Sequence, residues 1–518
     1  MCYLGSFMQK KYYITTPIYY VNDLPHIGHM YTTVAADILA RWYRLNGKEV
    51  FFATGTDEHG AKISQAAQKR GIEPKAFCDE ISGEFKKCWD ELLISYDHFI
   101  RTTDADHEAT VSAMLQKMYD NGNIYKHTYS GLYCIHCEKF LAEGDLIDGL
   151  CPDHKQKPSK HHEENWFFRL SKYKDRLLEI LTNQADKDYI KVLPQERSNE
   201  VIGKLKISLD DISISRAKVE WGIPLPFDKT QTTYVWVDAL INYVTAAGFQ
   251  KGENEFASTW PADVHLMAKD ILWFHSVIWP AMLLSTGMAL PKTVFSHGFF
   301  TINGEKMSKT LGNVILPRDM VLKFGIDGAR YLCQALFPFG TDGDISWTAL
   351  NERYNSDLAN NIGNLVSRTI TMIEKYFPGQ VLSIKGSENL FENISRQLAA
   401  IYAHYELIEL HKVCDKIRTA VDLANRFIEE TAPWKLAKEN SPRLPGVLYA
   451  LVNSIGLIAL YLQPFMPQKA KAIWECCGFE HSIEEASKEY FINKKIVFFP
   501  CKPVKKPEAL FPRISLEK

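Results

Sequence analysis

The run Tyr12-Tyr13-Ile14-Thr15-Thr16-Pro17-Ile18-Tyr19-Tyr20, followed closely by Pro25-His26-Ile27-Gly28-His29-Met30, decides how the first hundred residues fold. The first run is β-branched and aromatic and reads as a strand, while Tyr31 to Leu45 follows a helical pattern. Val50 to Thr54 and Gly60 to Lys69 repeat the strand-then-helix order. Such alternation predicts a parallel, doubly wound α/β sheet, whose ligands belong at the carboxyl ends of the strands, where His26 and Asp57 fall. Two imidazoles at a strand-to-helix turn can face one anion together with the free amides and positive end of the helix. Downstream, Gly304-Glu305-Lys306-Met307-Ser308-Lys309-Thr310 offers two lysines on a Gly-bounded loop, the second half of a polyphosphate site. Taken singly, either histidine is an ordinary surface or core residue and the lysines a solvated loop; the pair of segments carries the reading.

His26-Ile27-Gly28-His29 together with Lys306-Met307-Ser308-Lys309-Thr310 resembles the two signatures of class I aminoacyl-tRNA synthetases. From about Lys11 to at least Trp434 the chain is similar to the methionyl-tRNA synthetase family. Thr310 stands where the family most often has Ser and keeps the hydroxyl. The resemblance implies an enzyme that joins the carboxylate of methionine to the α-phosphate of ATP, expels pyrophosphate, and passes the acyl group to the terminal hydroxyl of methionine tRNA. The carboxylate is already ionised at neutral pH, so catalysis needs positioning and charge stabilisation rather than a side-chain nucleophile. That work falls to His26, His29, Lys306 and Lys309, with Gly28, Lys269, Asp270, Met307 and Ser308 completing the ATP site and Mg2+ accompanying the phosphates. Ala268 replaces the small Gly usual in the family before Lys269-Asp270.

By the same resemblance Asp57 holds the substrate ammonium, although an Asp before a helical pattern is also a common N-cap. Pro17, Ile18, Tyr20, Trp236, Ala239, Leu240, Tyr243, Ile271 and His275 match the methionine pocket. A thioether bonds weakly, so an aromatic cage with one polar contact from Tyr20 or His275 suits it. Apolar pockets separate substrates differing by one methylene only about 10- to 200-fold, which is why synthetases for branched aliphatic amino acids need an editing site. The insertion at about Tyr119 to Pro226 is too short for one beside a metal knuckle, leaving methionine or cysteine. The alternatives are therefore a cysteine-specific synthetase or ligase, with zinc inside its pocket, and an inactive tRNA-binding zinc scaffold.

With 518 residues, 46% of them apolar, the chain suits about three to four domains with several cores. A net charge of -2 excludes a whole-chain basic footprint, so nucleic-acid contacts must be local. Met1 to Lys11 lacks an apolar leader core, and the uncharged run Leu444 to Gln468, broken by Pro445, Gly446 and Pro464, reads as a buried bundle helix rather than a membrane span. The expected setting is the cytoplasm, with no membrane association. Most of the 11 cysteines are scattered, and Cys476-Cys477 reads as a core pair. Cys134-Ile135-His136-Cys137 and Cys151-Pro152-Asp153-His154 form CxxC and CxxH halves, a spacing that predicts one tetrahedral, structural zinc held by Cys134, Cys137, Cys151 and His154. His136, His161 and His162 compete for the fourth position.

The expected division is 1–118 and 227–350 for the two halves of the catalytic domain, 119–226 for the zinc-bearing insertion, and 351–518 for a helical domain with a C-terminal tail. Thr233 to Val237 and Val264 to Met267 read as strands of the second half, followed by a helix around Phe274. Beyond Trp347, Leu358, Ile362, Leu365, Val366, Ile370, Ile373 and Phe377 mark one helical stripe, with Asn360, Asn364 and Arg368 on the opposite face. By resemblance Asn364, Arg368 and Trp434 read the anticodon, and single-stranded RNA is indeed read by stacking and by bonds to exposed base edges. The prolines after Ser487 predict a short hairpin or an extended tail, and no appended dimerising module is evident, so a monomer is expected.

Overall fold

The computed structural model describes residues 11–134, 139–141, 144, 146–152, 155–217, 219–302, 305–306, 314–380, 389–496, 500 and 502–515; within these, the side chains of 129–131, 133, 139–141, 160–163 and 305–306 are outside the description. Strands are β1 (Tyr12–Tyr20), β2 (Val50–Asp57), β3 (His98–Arg101), β4 (Ile124–Cys134), β5 (Lys139–Leu141), β6 (Ser159–Phe168), β7 (Lys191–Leu193), β8 (Ile212–Ser213), β9 (Ser215–Arg216), β10 (Thr232–Thr233), β11 (Val264–Ala268), β12 (Thr293–His297), β13 (Phe300–Ile302), β14 (Glu305–Lys306) and β15 (Gly343–Asp344).

The central sheet has the order β3-β2-β1-β11-β12-β7, and every pairing in it is parallel. Its order reverses between β1 and β11, so a crevice opens at the carboxyl ends of those two strands. Within β1 the register against β2 slips between Thr15 and Ile18, around Pro17, which has no N–H for the ladder. Between β2 and β3, Gly55 is forced by close approach: a Cβ there would stand 2.0 Å from the Ile100 carbonyl oxygen. Lys191–Leu193, inside the 119–226 stretch, forms the edge strand β7 against β12.

Other strands of that stretch build a smaller antiparallel sheet, β5-β4-β6-β8, and the stretch also carries the helices Lys174–Thr182 and Gln195–Ile207. One expectation fails between the two sheets. Thr233 to Val237 is not a strand: β10 ends at Thr233, Tyr234 caps, and Val235 begins the helix Val235–Ala246. Nearly all of that helix is buried, so its apolar residues run consecutively and mimic a core strand.

From Trp347 onward the described residues are almost wholly helical. Leu365, Val366, Ile370 and Ile373 are buried on the helix Asn364–Tyr376, whereas Asn360 and Asn364 are exposed. The apolar helix Leu444–Leu462 is buried around nearly its whole circumference, which is enough to account for its lack of charged residues. The C-terminal segment is the extended alternative. Phe479 bridges Pro500, Leu510 and Phe511 are buried, and Asn355 exchanges two hydrogen bonds with the backbone of Ile514, at 2.8 and 3.0 Å.

Candidate active site

The helix Ile27–Leu45 begins directly behind β1 with an unusual cap built from two imidazoles. The Gly28 amide donates to His26 Nδ1 at 3.1 Å, and the His26 amide donates to His29 Nδ1 at 3.2 Å. The rings stack with centroids 3.8 Å apart. A nitrogen that accepts carries no proton, so these bonds leave Nε2 as the ring nitrogen of each imidazole that can donate. Burial, reinforced by the neighbouring His26, pushes His29 well below the ordinary histidine pKa. His29 is therefore a neutral donor at pH 7. A Cβ on Gly28 would sit 2.9 Å from His26 Cε1, so glycine is what lets the His26 ring fold back over the helix start. Another amide of this first turn, that of Ile27, donates to the Ile315 carbonyl at 3.0 Å.

A cavity of about 910 Å³ opens beside this cap, at the switch point of the sheet. His26, Gly28 and His29 line one side. Asp57, at the end of β2 and 4% exposed, lines another with Pro17, Ile18 and Tyr20 from β1. Trp236, Ala239, Leu240 and Tyr243 from the helix Val235–Ala246 complete an apolar wall with Ile271 and His275. Trp236 stacks on Phe274 at 4.7 Å. His275 Nδ1 lies 2.9 Å from the Ile271 carbonyl, which can only accept, so Nε2 accepts from the Tyr243 hydroxyl at 2.7 Å. Burial lowers the His275 pKa to about 4 against that carbonyl's pull, and the imidazole is neutral and oriented.

Every residue expected for the amino-acid pocket lines this one cavity. Of the expected nucleotide residues, Asp270 lines it with Ala268, whereas Lys269 is outside the lining and pairs with Asp342 at 2.6 Å. Lys306 pairs through its backbone with Thr301, and its side chain is outside the described residues, as are Met307, Ser308 and Lys309. Val314 and Leu316, which resume the chain after that segment, line the cavity.

Sequence reasoning missed other lining residues, including Asn22, Asp23, Lys62, His297 and Phe300. His297 had a readable signal: Thr293-Val294-Phe295-Ser296-His297-Gly298 is a β-rich run ending in His-Gly, and strand carboxyl ends are where ligands gather. Its Nδ1 lies 2.8 Å from the Gly298 carbonyl and Nε2 2.6 Å from Thr32 Oγ1, with burial lowering its pKa to about 4.

Of the expected metal ligands, Cys134 and Cys151 are both buried and cluster together with Leu146. Cys134 ends β4 opposite Lys139 of β5. Cys151 follows a two-residue reversal in which Ile147 and Leu150 exchange backbone bonds and Asp148 and Gly149 take φ of 53° and 75°, the type I′ geometry. The two thiols are free and meet in one small buried cluster; among the described residues no third metal-ligating side chain joins them. Cys137 and His154 lie outside the described residues, as does His136, and so do the side chains of His161 and His162. No cysteine is among the described residues lining the active cavity.

In the helical domain, Arg368 brings two expectations together. Its guanidinium lies 5.9 Å from the centre of the Trp434 ring and pairs with Glu429 at 2.7 Å. Asn364 lies one turn before it on the same helix and is exposed.

A parallel doubly wound sheet whose first helix opens on paired histidines is the framework of a class I aminoacyl-tRNA synthetase. The family model described as tRNA synthetases class I (M) matches residues 12–159 and 145–370, and that of the anticodon binding domain of methionyl tRNA ligase matches 379–518. A methionine--tRNA ligase of Caldanaerobacter subterraneus subsp. tengcongensis is 45% identical over 99% of this chain and 80% of its own length. One from Thermosynechococcus vestitus is 41% identical over 98% of each. The solved Mycobacterium tuberculosis methionyl-tRNA synthetase in complex with methionyl-adenylate superposes with a TM-score of 0.91 at 37% identity, covering 98% of this chain and all of that one. The chain belongs to the class I methionyl-tRNA synthetase family.

Proposed function

We infer that this chain activates methionine with ATP and transfers it to the 3′ end of methionine tRNA. The observation that carries the reading is one cavity with an acidic anchor, an apolar wall and a two-histidine helix start on its different sides. Asp57 takes the substrate ammonium, and the methionine side chain runs into the slot walled by Trp236, Leu240, Ile271 and Tyr243. The ionised carboxylate then attacks the α-phosphorus of ATP. The bond to the bridging oxygen breaks and pyrophosphate leaves with its electron pair. Nε2–H groups of His26 and His29 and the ammonium groups of Lys306 and Lys309 stabilise the growing negative charge on the phosphates, where preorganised donors act most strongly. Magnesium with ATP supplies further charge neutralisation when bound. A ribose hydroxyl of the tRNA end next attacks the acyl carbon, and AMP departs.

The catalytic halves are residues 1–118 and 227–350, with β7 contributed to their sheet from 119–226. Cys134, Cys137 and Cys151 hold a structural zinc, with His154, His136, His161 or His162 as fourth ligand. Asn364, Arg368 and Trp434 read the anticodon. The reducing cytoplasm, where translation runs, suits the free thiols. A cysteine-specific enzyme would bring its zinc thiolates into the substrate cavity, and the described lining supports the methionine reading instead.

ATP–pyrophosphate exchange across the twenty amino acids tests the proposal. Methionine should drive exchange alone or by far the fastest. Exchange with cysteine and not methionine overturns the substrate assignment; exchange with none favours the scaffold.

A further inference from the structure

The helix Val235–Ala246 turns Trp236, Ala239, Leu240 and Tyr243 toward the cavity, and its periodicity turns Asp238 to the opposite face. There the carboxylate is 1% exposed and accepts from two imidazoles: His59 Nδ1 at 2.7 Å and His107 Nε2 at 2.6 Å. His107 belongs to a separate helix, Ala105–Asp120. His59 lies two residues past Asp57. Burial opposes ionisation of Asp238, but the charge of His59 and the bonds from both histidines hold its pKa down at about 2. Burial likewise disfavours the His59 imidazolium, yet the Asp238 carboxylate raises its pKa above the ordinary value.

The segment joining Asp57 to His59 has no slack. Glu58, fully buried, accepts from Arg101 at 2.7 and 2.9 Å, from Thr56 at 2.7 Å and from Thr103 at 2.5 Å. The Glu58 carbonyl accepts from the Trp221 indole at 2.6 Å, and the Gly60 amide donates to the Trp221 carbonyl. A pull on His59 is therefore transmitted to Asp57 rather than absorbed by the loop.

We infer that Asp238 is a positioning residue for the amino-acid pocket: through His59 it ties the strand end carrying Asp57 to the helix carrying the apolar wall, and through His107 it braces that helix from behind. The inference rests on the methionine-activating reading above. An ammonium anchor and a side-chain slot select a substrate only at a fixed separation, and their separation here crosses between β2 and the helix Val235–Ala246, which no backbone ladder joins. The histidine cap on the helix Ile27–Leu45, by contrast, is held by bonds within its own turn.

The test is ATP–pyrophosphate exchange on the full chain, with methionine and ATP varied separately, for the wild type and Asp238→Asn. Asparagine keeps the shape but must turn an N–H toward one imidazole. A displacement of about 1 Å can cost on the order of 100-fold, so the KM for methionine should rise by about tenfold or more, with the KM for ATP little changed. An unchanged methionine KM in the folded variant overturns the inference, and so does a parallel rise in both KM values, which would mark a general structural role. If Asp238→Asn does not fold, His59→Gln is read in its place by the same two outcomes. A wild type that exchanges with no amino acid, or only with cysteine, overturns instead the reading on which the inference rests.

Discussion

Asp37 Oδ2 meets Arg330 Nη2 at 2.6 Å, and neither side chain is exposed to solvent. Asp37 lies on the helix that opens with His26 and His29, and Arg330 on the helix Pro317–Ala335. The other guanidinium bonds go to the carbonyls of Leu92 at 3.0 Å, Phe465 at 3.0 Å and Pro464 at 2.8 Å. One buried cation thus joins the helix Ile27–Leu45 to the end of the apolar bundle helix Leu444–Leu462.

Breaking this pair from one side leaves an uncompensated buried charge, which costs about 3–5 kcal/mol. Asp37→Ala should therefore lower the urea midpoint strongly at neutral pH. Burial raises the Asp37 pKa, but Arg330 and Arg41 outweigh it and the folded value lies below the ordinary 3.8. A depressed folded pKa contributes stability above the unfolded pKa and loses it as pH falls through the folded one. The gap between wild type and Asp37→Asn should hold above about pH 4 and shrink below it. A gap that narrows instead between pH 5 and 7 would assign the effect to other groups.

The histidine cap separates two jobs by ring nitrogen. Nδ1 of His29 accepts from the backbone, so only Nε2–H is left to donate into the cavity, where the proposed role puts the ATP phosphates. His29→Ala should slow adenylate formation by about 2.7–4 kcal/mol of transition-state stabilisation, the scale of one oxyanion donor. His29→Gln, whose amide nitrogen reaches the Nε2 position, should retain more activity than His29→Asn, and both should bind methionine as the wild type does. Equal losses in methionine affinity and in single-turnover adenylate formation would contradict the assignment.

Much of this site was legible because its chemistry is local. The β1-to-helix turn with its histidines occupies adjacent residues with a characteristic order. The apolar stripe from Leu358 to Ile373 is legible for a related reason: one face of those helices meets water and the other does not. The helix Val235–Ala246 has no wet face, so its start at Val235-Trp236-Val237 looks like a strand. β7 is three residues long, too short for any periodicity. The Asp238, His59 and His107 cluster joins residues 131 and 179 positions apart, and no spacing rule reaches across a fold.

The two clustered thiols yield a composition test. Metal analysis of the purified chain should find one zinc per chain, and Cys134→Ser should loosen the insertion, read as increased protease sensitivity within 119–226. Methionine binding should be largely spared, because Cys134 and Cys151 are outside the cavity lining. Loss of amino-acid binding with the fold intact would move the metal into the substrate site.

The last prediction concerns Trp434, whose ring lies under the Arg368 guanidinium on the helical domain and is not part of the cavity lining. An indole beside a planar cation offers a splayed base a stacking face, and the exposed Asn364 adds an amide one turn away. Base stacking on an aromatic is worth roughly 1–3 kcal/mol by alanine substitution. At about 1.4 kcal/mol per tenfold, Trp434→Ala should reduce charging of methionine tRNA at limiting tRNA by about one to two orders of magnitude. Methionine activation needs no tRNA, so ATP–pyrophosphate exchange should stay at the wild-type rate. Measured side by side on the folded variant, an unchanged aminoacylation rate, or an equal fall in both activities, would remove Trp434 from the anticodon surface.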